Sequence, residues 1–168
     1  MKRPSFDLSL KKGECGERII TSLLESKGFV VYKPVTNGSH AFDMLAIKDK
    51  ERSIAIDVKA KSRRTHYNDT GVNQVHFECY QRFSERHLMP FWLFFVDEHL
   101  GSVYGNNIEE LEKPIVDDGL CYPLVQQSSY GKAIRYWSLS SMITFGSLEQ
   151  NDSEELKSIS QRNYNYPE

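Results

Sequence analysis

Two aspartates and a lysine, Asp43, Asp57 and Lys59, stand where a single β-hairpin would bring their side chains onto one face. The runs 42–47 (FDMLAI) and 53–59 (SIAIDVK) are rich in apolar residues and flank a polar stretch, 48–52 (KDKER). That pattern reads as two antiparallel strands joined by a turn. With pairing symmetric about Lys50, Asp43 falls opposite Asp57. Alternation puts Asp57 and Lys59 on one side, among polar neighbours, and directly opposed residues carry Cβ atoms about 5 Å apart. Two carboxylates so placed repel each other. A bound divalent cation relieves the repulsion, and a neighbouring ammonium helps. The opposite side, with Phe42, Met44 and Ala46 against Ile54, Ile56 and Val58, reads as core. The plainer alternative is a solvated face on which Lys59 simply pairs with Asp57.

A third acid comes from upstream. Residues 13–28 (GECGERIITSLLESKG) have the pattern of an amphipathic helix ending at a glycine. Glu17, Ile20 and Leu24 are spaced i, i+3, i+7, so Glu17 lies on or beside the buried stripe, whereas Glu25 points elsewhere. A carboxylate in that position calls for a cation or hydrogen-bond donors. Otherwise it is an edge residue that turns to solvent or pairs with Arg18. Glu14 is a secondary candidate.

With these residues in place, the chain resembles the PD-(D/E)XK, or restriction-endonuclease-like, nucleases, and within them the archaeal Holliday junction resolvases. The resemblance spans roughly residues 13–97, through GERIITSLLESKGFVVYK, AFDMLAIKD, SIAIDVKAK and NQVHFECYQRFSERHLMPFWLFFVD. It implies an α/β fold whose central mixed β-sheet is flanked by helices in the order αβββαβ. It also implies a site built from a first-helix glutamate, a second-strand aspartate and a (D/E)-x-K on the third strand. Glu17, Asp43, Asp57 and Lys59 match those positions in order. The implied cofactor is Mg²⁺ or Mn²⁺, held by Asp43, Asp57, Glu17 and the backbone carbonyl of Val58, with no organic cofactor. The implied reaction is hydrolysis of DNA phosphodiester bonds. A resolvase makes two symmetric incisions and so needs two sites, which implies a homodimer. In resolvase-like relatives a serine near residue 39 assists phosphate binding, which nominates Ser39. The chain departs from the pattern in three places. Phe42 stands where the motif has proline, Asp57 replaces the commoner glutamate, and the exonuclease signature Q-x-x-x-Y is absent, since Glu78 follows Gln74 at that spacing and the tyrosine is Tyr80.

Other readings stay open beside a junction-selective nuclease. They are a restriction-like or mobile-element DNA endonuclease, a non-catalytic nucleic-acid-binding protein that keeps the fold, and an unrelated α/β protein whose hairpin charges are accidental.

Charge is uneven along the chain. The formal net charge is −2, yet residues 1–64 hold 14 of the 21 lysines and arginines and 8 of the 23 acids. Lys61, Arg63 and Arg64 follow directly on Lys59. They read either as a solvated loop or as phosphate contacts beside the scissile bond. His40 reads as a surface residue or, less directly, a proton donor. Three widely spaced cysteines, Cys15, Cys79 and Cys121, form no C-x-x-C pair, which argues against a disulfide framework and a structural zinc site. No leader is read at the start, and the longest apolar run, residues 90–96, is too short to span a bilayer. A cytoplasmic protein without a membrane partner is expected.

The remaining elements are placed by pattern. Residues 1–12 read as an N-terminal arm in which Phe6, Leu8 and Leu10 could add an edge strand. Residues 13–145 read as the nuclease-like domain, and 146–168 as a polar tail with a short helix at 152–160. Residues 29–35 read as a strand, 62–73 as a polar loop, 74–88 as a helix stopped by Pro90, and 91–96 as a central strand buried on both faces. Beyond Asp97, short strands are expected at 101–105 and 132–139, with a helical turn at 107–112. Residues 121–123 and Trp137 are candidates for a dimer surface.

Overall fold

The hairpin closes in the symmetric register that its sequence implies. Met44 pairs with Ile56 and Ala46 with Ile54, and the register slips by one residue only at the turn, where Asp49 meets Arg52. There the Asp49 carboxylate accepts from the Arg52 backbone N–H at 3.0 Å and from its Nε at 2.6 Å. The computed structural model describes residues 4–35, 40–50 and 52–160. Ser39 and the turn at 37–38 lie outside these residues.

In chain order the first half comprises α1 (Pro4–Ser26), β1 (Val30–Tyr32), β2 (Met44–Asp49), β3 (Arg52–Ala60), β4 (Asp69–Asn73), α2 (Gln74–His87) and β5 (Phe91–Asp97). The second half comprises β6 (Ser102–Asn107), α3 (Ile108–Leu111), β7 (Ile115–Asp117), β8 (Leu120–Tyr122), β9 (Leu124–Gln127), β10 (Ala133–Ser138), β11 (Ile143–Ser147) and α4 (Gln150–Ile159). The main sheet runs β1-β2-β3-β5-β6-β11. It is mixed because the β3–β5 pair is parallel while every other pair is antiparallel. A parallel neighbour requires a crossover, and α2 supplies it. With β4 set aside in a second sheet, the order α1-β1-β2-β3-α2-β5 is the αβββαβ order expected from the sequence, a mixed sheet flanked by helices.

Each face of this sheet is covered by one of the two long helices. Cys15, Ile19, Ile20 and Leu24 of α1 pack on Met44, Ala46, Ile56, Val58, Phe94 and Val96. Phe77 and Tyr80 of α2 pack on Ala55, Phe91, Leu93 and Phe95. Alternation along β3 therefore sends Ile56 and Val58 toward α1, and Ala55 and Asp57 toward α2. Strand β5 is apolar at successive positions because both of its faces are buried.

Close approach of α1 to β3 depends on Gly16. A Cβ built there would lie 2.9 Å from the Ala60 Cβ and 3.4 Å from Val58 Cγ1. Gly16→Val is expected to push the helix off the strand and cost about 1–3 kcal/mol through overpacking. A melting temperature equal to that of the wild type would contradict this contact.

Several expectations are corrected. Residues 4–12 belong to α1 rather than to an arm or edge strand, because the helix runs on through Gly13 and Lys12 Nζ reaches the buried Glu98 Oε1 at 2.5 Å. Phe42 leaves the α1 face and packs on α2, its ring 5.0 Å from Phe83, because the chain bends at Asp43 and strand alternation stops there. The polar stretch 62–73 ends in β4, a buried strand of a second sheet ordered β4-β10-β9. Trp137 is fully buried against Phe77, ring centroids 5.1 Å apart, and is unavailable to a dimer surface. Downstream, β11 closes the main sheet, and α4 packs on α1 through the buried Leu156 and the pairing of Arg18 with Asp152 at 2.9 Å and Glu155 at 2.8 Å.

Candidate active site

The buried half of the site is Asp57. It is 6 % exposed, on the side of β3 covered by α2. Its neighbours are therefore less polar than the hairpin pattern suggests. The Lys59 ammonium approaches Asp57 Oδ2 to 2.6 Å. That ion pair gives the buried oxygen its partner. Burial pushes the Asp57 carboxyl up to about 6; Lys59 opposes the rise and Asp43 adds to it. A carboxylate held ionised at this cost is suited to a cation.

Asp43 occupies the bend just before β2 and is half-buried. It is fastened to β3 on both sides of Asp57, since its N–H donates to the Ile56 carbonyl at 2.8 Å and its Oδ2 accepts from the Val58 N–H at 2.7 Å. The bend thus carries the second carboxylate to the level of the first. The Val58 side chain points to the α1 core, so at this level only its backbone can serve the site.

Asp43, Asp57 and Lys59 are thus brought together. Glu17 is placed differently. It sits one residue beyond Gly16, against the α1 contact with β3, and its Oε2 lies 3.2 Å from Lys33 Nζ. Among the described residues no three acidic, histidine or cysteine side chains cluster closely enough to hold an ion. Lys33 follows β1 directly and offers Glu17 a cation nearer to hand.

The basic stretch after Lys59 is largely engaged with the protein itself. Lys61 Nζ donates to the Gly71 carbonyl at 2.7 Å, capping the backbone of β4. Arg63 donates through its N–H to Asp97 Oδ2 at 2.9 Å and through its guanidinium to the Tyr67 carbonyl at 3.3 Å. Arg64 forms a two-pronged pair with Asp69 and also donates to Gln126 Oε1 at 2.8 Å. Its guanidinium lies between the rings of Tyr67 and Tyr136, at 4.1 and 3.8 Å. The reading of Arg64 as a phosphate contact thus gives way to an internal role, because fully buried Asp69 needs a cation.

Neither a protein-family model nor a curated protein matches the chain. Solved structures similar to it include the following two. One is Hjc, a Holliday junction resolvase from the archaeal hyperthermophile Archaeoglobus fulgidus, with 17 % identity over 60 % of this chain and 81 % of that one and a TM-score of 0.49. The other is a nuclease from a fusselovirus, with 13 % identity over 87 % of this chain and 88 % of that one and a TM-score of 0.39. No helix among the described residues is long and apolar enough to cross a membrane.

Tyr80 is the site residue that sequence reasoning passed over. Although it stands out of the Q-x-x-x-Y spacing, its phenol faces Asp57 and the Lys59 ammonium lies 6.0 Å from its ring centre. Its place three residues after Phe77, on the buried stripe of α2, was the available signal. Burial, then the charge of Asp57, pushes the phenol well above its ordinary range, so it remains a donor at all working pH values. Contact with that donor favours the ionised Asp57. Tyr80→Phe is therefore expected to raise the Asp57 pKa further, as read by carboxyl NMR titration of the metal-free protein. A pKa that stays put or falls would contradict the contact.

Proposed function

We propose that the protein is a divalent-metal-dependent endonuclease that hydrolyses DNA phosphodiester bonds, structure-selectively in the manner of a junction resolvase, as a cytoplasmic homodimer. The observation that carries this reading is the buried Asp57 carboxylate, paired with Lys59 and held level with a second aspartate.

The donor set fits Mg²⁺ or Mn²⁺. Two aspartates and a backbone carbonyl are hard oxygen ligands, and such ions keep several waters and bind phosphate oxygens in their remaining positions. Asp43 and Asp57 would hold the ion, with the Val58 carbonyl beside them, while Glu17, which pairs with Lys33 and sits on the helix that covers the other face, stands outside this set. When bound, the ion would supply Lewis-acid activation of water and neutralise charge on the scissile phosphate. The chain's own residues do the rest. Tyr80 and Lys59 keep Asp57 ionised and oriented. Lys59, part-exposed at the mouth of the site, orients the attacking water and offers positive charge to the phosphate as negative charge builds on it.

The test is a cleavage panel in Mg²⁺ with four-way junction, flap, duplex, single-stranded DNA and RNA. Paired symmetric nicks in the junction are expected, lost on chelation. Absence of cleavage of every substrate in both Mg²⁺ and Mn²⁺, or cleavage that persists under chelator, would overturn the reading.

A further inference from the structure

We propose that the open groove along the outer face of α2 is the path on which a DNA strand lays its phosphates as it enters the site, with Arg82 and Arg86 making the contacts. This rests on the phosphodiesterase reading of Asp43, Asp57 and Lys59 and adds the route of the substrate to it. The groove, about 670 Å³, is lined by Ala41, Cys79, Arg82, Phe83 and Arg86, with His87 at its end. Ala41 is two residues before Asp43, and the Phe83 ring packs on Phe42. The groove therefore opens at the bend that carries the Asp43 carboxylate.

Pairing sets these two arginines apart. Arg18, Arg52, Arg64 and Arg135 are each bound to an acid, and Arg63 is held by the Tyr67 carbonyl. Arg82 and Arg86 are exposed, and among the described residues no acid pairs with either. Among the described residues the hydrogen bond of the Arg82 guanidinium goes to the Cys79 sulfur, at 3.1 Å. Glu78, one turn before Arg82, is held by the Gln74 side chain at 3.0 Å and forms no ion pair with Arg82 among the described residues. Glu85 is the acid among the groove's described lining residues, against two arginines and a histidine.

Arg82 and Arg86 are four positions apart, so they share a helix face about 6 Å apart along the axis. That spacing suits successive phosphates of one strand, and guanidinium is the side chain best shaped for phosphate oxygens. The helix dipole favours cations in the last turn of α2, which accounts in part for Arg86 and His87. It does not account for Arg82, a full turn earlier. Nor does a general surplus of positive charge, because residues 65–168 carry 15 of the 23 acids and 7 of the 21 lysines and arginines.

The experiment measures binding of a fluorescein-labelled four-way junction and duplex by anisotropy across a salt series, in Ca²⁺ to withhold cleavage. The proteins are the full chain, the pair Arg82→Gln/Arg86→Gln, and a charge-matched control, Lys113→Gln/Lys157→Gln, on exposed positions elsewhere. Loss of two phosphate contacts should reduce the slope of log affinity against log salt by about 1.8 and weaken binding at moderate salt on the order of tenfold or more. The control should bind as the wild type does, and all three proteins should melt alike. An unchanged slope in the arginine variant, or an equal loss in the control, overturns the groove while leaving the nuclease reading intact. A wild type that neither binds nor cleaves DNA overturns both.

Discussion

Replacing Asp57 by asparagine is expected to lower metal-dependent cleavage on the order of 10³-fold while making the protein more stable above pH 6. Both effects come from the same burial. The carboxyl has an ordinary value of 3.8 and is pushed up to about 6 in the folded chain. Between those values the folded state keeps a proton that the unfolded chain has lost, so stability falls as pH rises through this window and stays lower above it. Two pH units correspond to about 3 kcal/mol, a figure that already includes the opposing pull of Lys59, so a gain of about 1–3 kcal/mol is expected for Asp57→Asn at pH 8. Below pH 4 the gain should vanish. Lys59→Ala is expected to reduce cleavage by about 10²–10³-fold, the cost of removing one well-placed electrostatic group, and to leave Asp57 harder to ionise. Urea unfolding at pH 4 and pH 8, alongside cleavage assays on the same preparations, checks these outcomes. An asparagine variant that is less stable at pH 8 and still cleaves would contradict the role given to this residue.

The second large effect is structural and concerns Arg64. Asp69 has no solvent exposure, and its carboxylate is satisfied by the Arg64 guanidinium and by the Tyr122 hydroxyl at 2.8 Å. Arg64→Ala strands a buried charge and is expected to cost about 3–5 kcal/mol. A double variant, Arg64→Met/Asp69→Leu, should recover a good part of that loss, since both charges leave together. Urea denaturation of the wild type, Arg64→Met, Asp69→Leu and the double variant measures the coupling directly. If Arg64→Ala unfolds like the wild type and merely binds DNA more weakly, Arg64 contacts phosphate after all.

These two residues also mark what the sequence could and could not disclose. The Asp43–Asp57 juxtaposition was readable because strand alternation has a period of two and the turn at 48–52 is symmetric, so a register follows from local pattern alone. The helix at α2 was readable for a similar reason, with Pro90 stopping it just after its αL-capped end at Leu88. The fate of Arg64 was not readable, because its partners Asp69, Gln126 and Tyr136 are drawn together by β4 pairing with β10, more than sixty residues downstream. A polar stretch such as 62–73 reveals nothing of a strand partner so distant. The same non-local sheet buries Trp137, which composition alone left facing outward. Glu17 shows a finer limit. Helical spacing correctly put it beside the buried stripe, but rotamer choice at its carboxylate depends on Lys33, which approaches from after β1.

Those limits leave one claim on which the chemistry rests, that Asp43 and Asp57 jointly bind a divalent cation. Titrating Mn²⁺ into the metal-free protein by calorimetry tests it most directly, at pH 6 and pH 8 and in buffers of different ionisation enthalpy. Binding at pH 6 should release protons from Asp57, at pH 8 it should release few, and Asp43→Asn and Asp57→Asn should each abolish the high-affinity phase. Binding unaltered by either substitution, or release of protons independent of pH, would contradict a shared cation at these carboxylates.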